Sequence, residues 1–140
     1  MTNRKLSLIV KDQNPLVMRP TATLQEASRK MWDKCVGSVL VVDEGEALVG
    51  IFTGRDAVKA LAQGRDPAKT PLADVMTRNP TTIAPEKRAI DALRMMGDGG
   101  YRHLPIVEEG RIKGIVSRGD FKGPEIDRLD TEEHLWETLM

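Results

Sequence analysis

Cysteine occurs once, at position 35, in a chain of 140 residues. One thiol cannot close an internal disulfide, and it argues against a metal centre built from thiolates. Aromatic residues are only 4% of the chain, so a core must be assembled from Val, Ile, Leu, Ala and Met. Neither charge sign is in excess: 21 Lys and Arg stand against 21 Asp and Glu. The basic surplus of a dedicated nucleic-acid binder is therefore missing. Long hydrophobic runs are missing too. The longest strictly apolar stretch is Val39-Leu40-Val41-Val42, far short of the roughly 20 residues of a membrane-spanning helix. Residues Met1 to Val10 hold no apolar core of the kind that marks a secretory leader. The expectation is a soluble, cytoplasmic protein, built as one compact unit or as two small ones that lean on each other.

What the chain does have is an internal repeat. With a shift of 65, Val10, Asn14, Pro15 and Pro20 fall on Val75, Asn79, Pro80 and Pro85. Ala27, Arg29, Met31, Asp33, Val42 and Gly45 fall on Ala92, Arg94, Met96, Asp98, Val107 and Gly110. One residue then drops out, and Gly50, Ile51 and Asp56 fall on Gly114, Ile115 and Asp120. A single gap is what duplication and drift leave behind, and units of this size pair because neither buries its own faces.

Each copy has the same order of signals. Asn-Pro turns at 14–15 and 79–80 lead into short extended pieces, Leu16–Met18 and Thr81–Ile83. A helix follows. Thr23 with Glu26 forms a capping-box pattern, and Leu24, Ala27, Met31 and Cys35 recur at helical spacing. Ala89, Ala92, Leu93 and Met96 do the same in the second copy. Met95-Met96 reads as adaptable core filler, Gly97, Gly99 and Gly100 as the end of that helix, and Cys35 as core. Buried strands are expected at Ser38–Asp43 and His103–Val107, hairpin turns around Gly45 and Gly110, and return strands at Leu48–Phe52 and Ile112–Val116. A second helix begins near Asp56 and closes at Gly64, whereas Gly123-Pro124 cuts its counterpart short. The fold class is α/β: two strand-helix-strand-strand-helix units packed about a pseudo-twofold axis. Expected boundaries are 8–64 for the first repeat, 65–73 for a linker, 74–123 for the second repeat, and 124–140 for an acidic helical tail. In that tail Thr131 caps a helix carrying Leu135, Trp136 and Leu139, which either covers core or docks a regulated partner protein.

The candidate sites are Thr53-Gly54-Arg55-Asp56 and Ser117-Arg118-Gly119-Asp120. A hydroxyl followed three residues later by a carboxylate is a helix cap. The same group at a strand-to-helix junction also suits a nucleotide. Free helix amides and an arginine attract phosphate, and the carboxylate accepts from ribose hydroxyls. The residues themselves leave capping and ligand binding open. No Ser-His-Asp order, carboxylate dyad or metal cluster stands out. His103 reads as structural, and His134 lacks metal partners at helical spacing.

Gly-Ile-Phe-Thr-Gly-Arg-Asp and Gly-Ile-Val-Ser-Arg-Gly-Asp, each after a Val-rich hairpin, resemble paired CBS domains, the Bateman module. Val75–Pro80 and Tyr101–Val107 are similar to the lead-in and central strand of such units. The resemblance implies a regulatory, energy-sensing module that binds an adenosine ligand: AMP, ADP, ATP, S-adenosylmethionine or a dinucleotide. It implies no catalysis, no required cofactor and no metal. One cleft is implied to use Thr53, Arg55 and Asp56 with Thr77, Pro80, Thr81, Tyr101 and Arg102. The other is implied to use Ser117, Arg118 and Asp120 with Asp12, Leu16, Val36, Gly37 and Ser38. The first copy departs from the pattern at Lys11-Asp12-Gln13 and at Leu40, where the second has Met76-Thr77-Arg78 and Pro105. The resemblance also implies a homodimer; the balanced charge and the short apolar runs argue against nucleic acid and membrane as partners. The alternatives are a scaffold that binds no ligand and, less supported, a small enzyme using Asp120 and His103.

Overall fold

The computed structural model describes residues 3–121 and 123–126. The chain divides by its contacts into two units. One is Asn14–Pro80; the other joins the residues up to Gln13 with those from Thr81 onward.

In the Asn14–Pro80 unit, β1 (Val17–Met18), β2 (Ser38–Val42), β3 (Leu48–Thr53) and β4 (Thr77–Arg78) form one sheet in that order. β1 runs parallel to β2, and the other neighbours are antiparallel. The helix α2 (Leu24–Lys34) begins where Thr23 Oγ1 accepts the Glu26 N–H at 3.1 Å. That is half of the expected capping box. Side chains alternate across a strand and repeat every three or four residues on a helix. Val39, Val41 and Phe52 thereby meet Leu24, Ala27 and Met31 in one core, closed by Ala60 of α3 (Gly54–Ala62) and by Leu72. α2 ends at Cys35, whose φ of 55° is left-handed. Cys35 is exposed there, not in the core as its helical spacing suggests, because the cap geometry turns its side chain off the buried stripe.

The second unit contains α1 (Leu6–Ile9), α4 (Ala89–Gly99) and the hairpin β5 (His103–Glu108) and β6 (Arg111–Ser117). Its core gathers Leu6, Val10, Ile90, Leu93, Met96, Leu104, Ile106 and Val116. Met95 packs against that core. Gly97 lies inside α4 and does not end it; Gly99 is its last residue and Gly100, at φ 72°, is the cap, as expected. A lone glycine costs helix stability without stopping a helix whose other face is well buried. The extended piece around Ile83 is reduced to a single parallel bridge with Ile106. Proline explains the reduction. Leu40 N–H donates to Leu16 C=O at 2.9 Å in the first unit, and the equivalent of Leu40 is Pro105, which has no N–H. After β6 a three-residue 3-10 turn, Arg118–Asp120, stands where α3 begins in the other copy, and residues 123–126 are again helical. Gly123-Pro124 therefore opens a helical stretch instead of cutting one short, because proline is tolerated in a first helical turn.

Each unit is completed by the lead-in of the other sequence repeat. Met76 lies over Gly50, and Val10 with Gln13 lies over Gly114. These glycines are equivalent in the repeat, and in both a side chain would occupy the space that the lead-in takes. The two lead-ins pair differently. β4 pairs Thr77 with Ile51 through the backbone. Gln13 pairs with Ile115 through its side chain: Nε2 donates to the Ile115 carbonyl at 2.8 Å and Oε1 accepts the Ile115 N–H at 2.9 Å. A carboxamide carries the same donor and acceptor as a peptide group, so Gln13 replaces a strand residue.

An added methyl at Gly114 meets the branched Val10 Cβ at 2.6 Å next to its backbone, whereas at Gly50 it meets Met76 Sδ, near the free end of a flexible side chain that can swing aside. Gly114→Ala is therefore expected to cost about 1–3 kcal/mol, as overpacking does, and Gly50→Ala clearly less. Urea unfolding of both variants checks the order; equal costs would mean that the Val10 lead-in yields as readily as Met76.

Candidate functional site

The end of β3 and the start of α3 present the first hydroxyl-x-x-Asp group. Thr53 has extended backbone and Asp56 lies in the first turn of the helix. Thr53 N–H donates to Asp56 Oδ2 at 2.9 Å, Thr53 Oγ1 lies 3.1 Å from the same oxygen, and the Asp56 N–H points back to Thr53 Oγ1 at 3.4 Å. Ser117 and Asp120 repeat this at the end of β6, with distances of 2.7 Å from Ser117 N–H and 3.3 Å from Ser117 Oγ to Asp120 Oδ2. Both groups are thus real capping boxes. The caps use one carboxylate oxygen each. Among the described residues, Oδ1 of Asp56 and Oδ1 of Asp120 accept no hydrogen bond. Capping aims each carboxylate and leaves half of it available.

The neighbouring charges fit an anion. Arg55 and Arg118 are exposed, and among the described residues neither guanidinium is held in an ion pair. Arg102 is exposed as well, with its carbonyl accepting the Arg118 N–H at 3.3 Å. Tyr101 is 42% exposed, and its phenol oxygen lies 2.9 Å from Thr81 Oγ1. Because Pro105 offers no donor, the Thr81 carbonyl lacks the ladder bond that Leu16 makes in the other copy. Thr81, Tyr101, Arg102, Ser117, Arg118, Asp120 and the exposed Asp12 all belong to the second unit.

The remaining expected residues belong to the first unit. Ser38 is buried and pairs with Thr53 across β2 and β3, and the Gly37 carbonyl accepts the Gly54 N–H at 3.2 Å. Gly37 and Ser38 therefore adjoin Thr53, although the resemblance assigns them to the other ligand. Val36 is exposed, Leu16 and Pro80 are half-buried, and Thr77 is exposed on β4. His103 is half-buried opposite Ser117. The tail residues Thr131, His134, Leu135, Trp136 and Leu139 lie outside the described residues. Among the described residues no group of three or more His, Cys, Asp or Glu is placed to hold a metal, and no helix is long and apolar enough to cross a membrane.

A separate feature of the first unit is a groove of about 370 Å³ along α2 and α3, lined by Leu24, Arg29, Trp32, Ala57, Leu61 and Pro67. Trp32 is 84% exposed, Val58 67% and Leu61 59%. Helical periodicity showed which face of α2 is buried, but Trp32 on its outer side had no such signal.

A duplicated α/β unit whose hairpin closes in a hydroxyl-x-x-Asp turn defines a class of tandem-domain proteins. The CBS domain family matches this chain twice, over residues 9–63 and 72–123, and the chain belongs to that family. An uncharacterised 17.7 kDa protein of Acidianus ambivalens is 39% identical over 105 residues, covering 74% of this chain and 63% of that protein. The CBS domain-containing protein CBSCBSPB1 of Arabidopsis thaliana is 38% identical over 102 residues, covering 72% of this chain and 19% of that protein. The chain thus spans less than two thirds of the length of either relative. The CBS domain protein PAE2072 from Pyrobaculum aerophilum, complexed with AMP, superposes with a TM-score of 0.83 over 91% of this chain and 99% of its own, at 22% identity. The CBS domain pair of protein MJ0100, in complex with 5'-methylthioadenosine and S-adenosyl-L-methionine, gives 0.77 over 93% and 98%, at 27% identity.

The caps have a measurable share of the stability. Asp56→Asn is expected to cost a few tenths to about 1 kcal/mol, in the range of cap substitutions. Asp120→Asn is expected to cost less, since its turn heads three residues rather than the nine of α3. Thermal melts of the ligand-free variants check this; equal costs would show that α3 does not lean on its cap.

Proposed function

We propose that the chain is a regulatory module that binds an adenosine-containing ligand and has no catalysis of its own. The observation that carries the reading is the half-committed carboxylate, present twice at equivalent positions. Oδ2 of Asp56 and of Asp120 is spent on the cap, and Oδ1 is left to accept from a ribose hydroxyl, a charge-assisted bond. Arg55 and Arg118 supply donors for phosphate at the same turns. The Thr81 carbonyl, left without a ladder partner by Pro105, suits the amino group of adenine. The adenosine ligands of the MJ0100 domain pair support the same ligand class. Regulation would follow by linkage: a ligand that prefers one arrangement of the protein or of its partner shifts the population toward it.

A second reading is favoured by the exposed apolar surface along α2 and α3. Trp32, Val58 and Leu61 suit association between two copies, and the complete capping boxes account for both turns without a ligand. The two readings are compatible, and together they describe a homodimer that binds ligand.

Calorimetry with AMP, ATP and S-adenosylmethionine tests the first reading. Binding without turnover is expected, and Asp56→Asn should weaken it by about 1.5–3 kcal/mol, roughly ten- to a hundredfold. No heat from any of the three at millimolar concentration would leave the scaffold reading standing. The Thr81 carbonyl adds a selectivity: AMP should bind more tightly than IMP, because a site built around a hydrogen bond rejects the analogue that cannot make it. Equal affinities would mean that the Thr81 carbonyl takes no part in recognition. Association is checked separately by light scattering. A mass near twice 15.5 kDa is expected at micromolar concentration, and Leu61→Lys should halve it.

A further inference from the structure

The two carboxylates are held from behind in different ways. Asp56 is followed by two turns of α-helix, whose backbone bonds fix its position. Asp120 closes a three-residue turn, and extended backbone at Phe121 separates it from the helical residues 123–126, so no continuous helix holds it. Support for Asp120 comes instead from the far end of the chain. Arg4 Nη2 donates to the Asp120 carbonyl at 3.0 Å and to Glu125 Oε1 at 2.9 Å, while Arg4 Nε and the Arg4 backbone N–H donate to Glu125 Oε2 at 3.2 and 3.1 Å. Glu125 is 1% exposed. Its carboxylate raises the Arg4 pKa, chiefly through the side-chain hydrogen bond, so the guanidinium is permanently charged.

The other side of Arg4 is anchored. Its carbonyl accepts the Ala89 N–H at 2.8 Å, and Leu6 and Ser7 donate to the Lys87 and Pro85 carbonyls at 2.8 and 2.9 Å. Asn3 Oδ1 accepts the Ile90 N–H at 3.1 Å. The base of α4 therefore holds the backbone of Arg4, Glu125 holds the plane of its guanidinium, and the remaining N–H meets the turn that bears Asp120. A planar fork satisfies the carboxylate and the carbonyl at once; a lysine point charge has no such fixed geometry.

We infer that Arg4, locked by Glu125, is the positioning residue for the Asp120 carboxylate, replacing the helix that holds Asp56 in the other copy. The inference rests on the reading of Asp120 as a ligand carboxylate only for its effect on binding. Its effect on the turn stands without a ligand.

The experiment uses the full chain and the variants Arg4→Met and Arg4→Met/Glu125→Met. The single variant takes the guanidinium away from the buried Glu125 carboxylate and is expected to destabilise the unit generally. The double variant removes that charge, and an apolar pair of similar volume usually recovers the stability, but the Asp120 carbonyl stays without its donor. Amide exchange is followed at Ser117, whose N–H binds Asp120 Oδ2, and at Val107, whose N–H bonds to the Ile83 carbonyl at 3.0 Å in the same unit. In the ligand-free double variant Ser117 should exchange about tenfold faster than in the parent, with Val107 unchanged. Ser117 and Val107 both keeping parental exchange would overturn the inference, because Arg4 would then serve stability alone.

AMP titration gives the second readout. With Asp56→Asn as background, the double variant should bind about tenfold more weakly than that background alone; with Asp120→Asn as background it should change nothing. Parental exchange at Ser117 together with AMP binding sinks the positioning role and leaves the proposed function intact. Fast exchange at Ser117 with no AMP binding by the parent supports the positioning role and sinks the ligand reading.

Discussion

The close approach of chain to chain at Gly50 and Gly114 is the constraint on which the rest of the architecture depends. At each, a lead-in segment lies where a side chain would be. The lead-in then supplies what its hairpin lacks. In one unit it brings Leu72 into the core and adds β4 to the sheet edge. In the other it brings Leu6 and Val10 into the core and uses the Gln13 side chain against Ile115. A hairpin with one or two helices buries too little apolar surface to be stable alone. The lead-ins enlarge both cores, and glycine is what lets them approach.

The hydroxyl-x-x-Asp turns follow from the hairpins that the lead-ins complete. Capping and ligand binding are usually posed as rivals for such a motif. In the proposed function they divide the carboxylate between them. A cap oxygen that accepts from Thr53 or Ser117 fixes the side chain in one orientation, and the second oxygen is presented with its rotamer entropy already spent. A preorganised acceptor costs a ligand less to engage than a mobile one. The same turn therefore stabilises the fold and, in the proposed function, offers a preorganised half-site.

Drift after duplication altered the two copies by identifiable chemistry. Pro105 in place of Leu40 removed one N–H, reduced a parallel strand pair to a bridge and released the Thr81 carbonyl. Gln13, one position beyond the counterpart of Thr77, replaced backbone pairing by a carboxamide. Extended backbone at Phe121 follows Asp120 where α3 continues past Asp56, and a distant arginine took over the support. Each change is small in sequence and affects a different group around the candidate sites.

Most of the elements were legible from residue order alone, because their causes are local. The Thr23 cap, the alternation in β2 and β3 and the three-residue spacing of Thr53 with Asp56 all act within a few positions. The repeat was legible too, since Gly50 and Gly114 appear in it as a matched pair. Cys35 and Gly97 were misjudged because spacing alone does not show where a cap turns or how much burial sustains a helix past a glycine. Arg4 with Glu125, Gln13 with Ile115 and Thr81 with Tyr101 gave no signal as pairs. Their partners are 121, 102 and 20 residues apart, and nothing in a pattern of spacing measures that distance. The sequence by itself determined the duplicated hairpins and the two capped carboxylates. Tertiary structure alone decided which lead-in completes which hairpin and what holds Asp120, because those choices depend on the path of the whole chain.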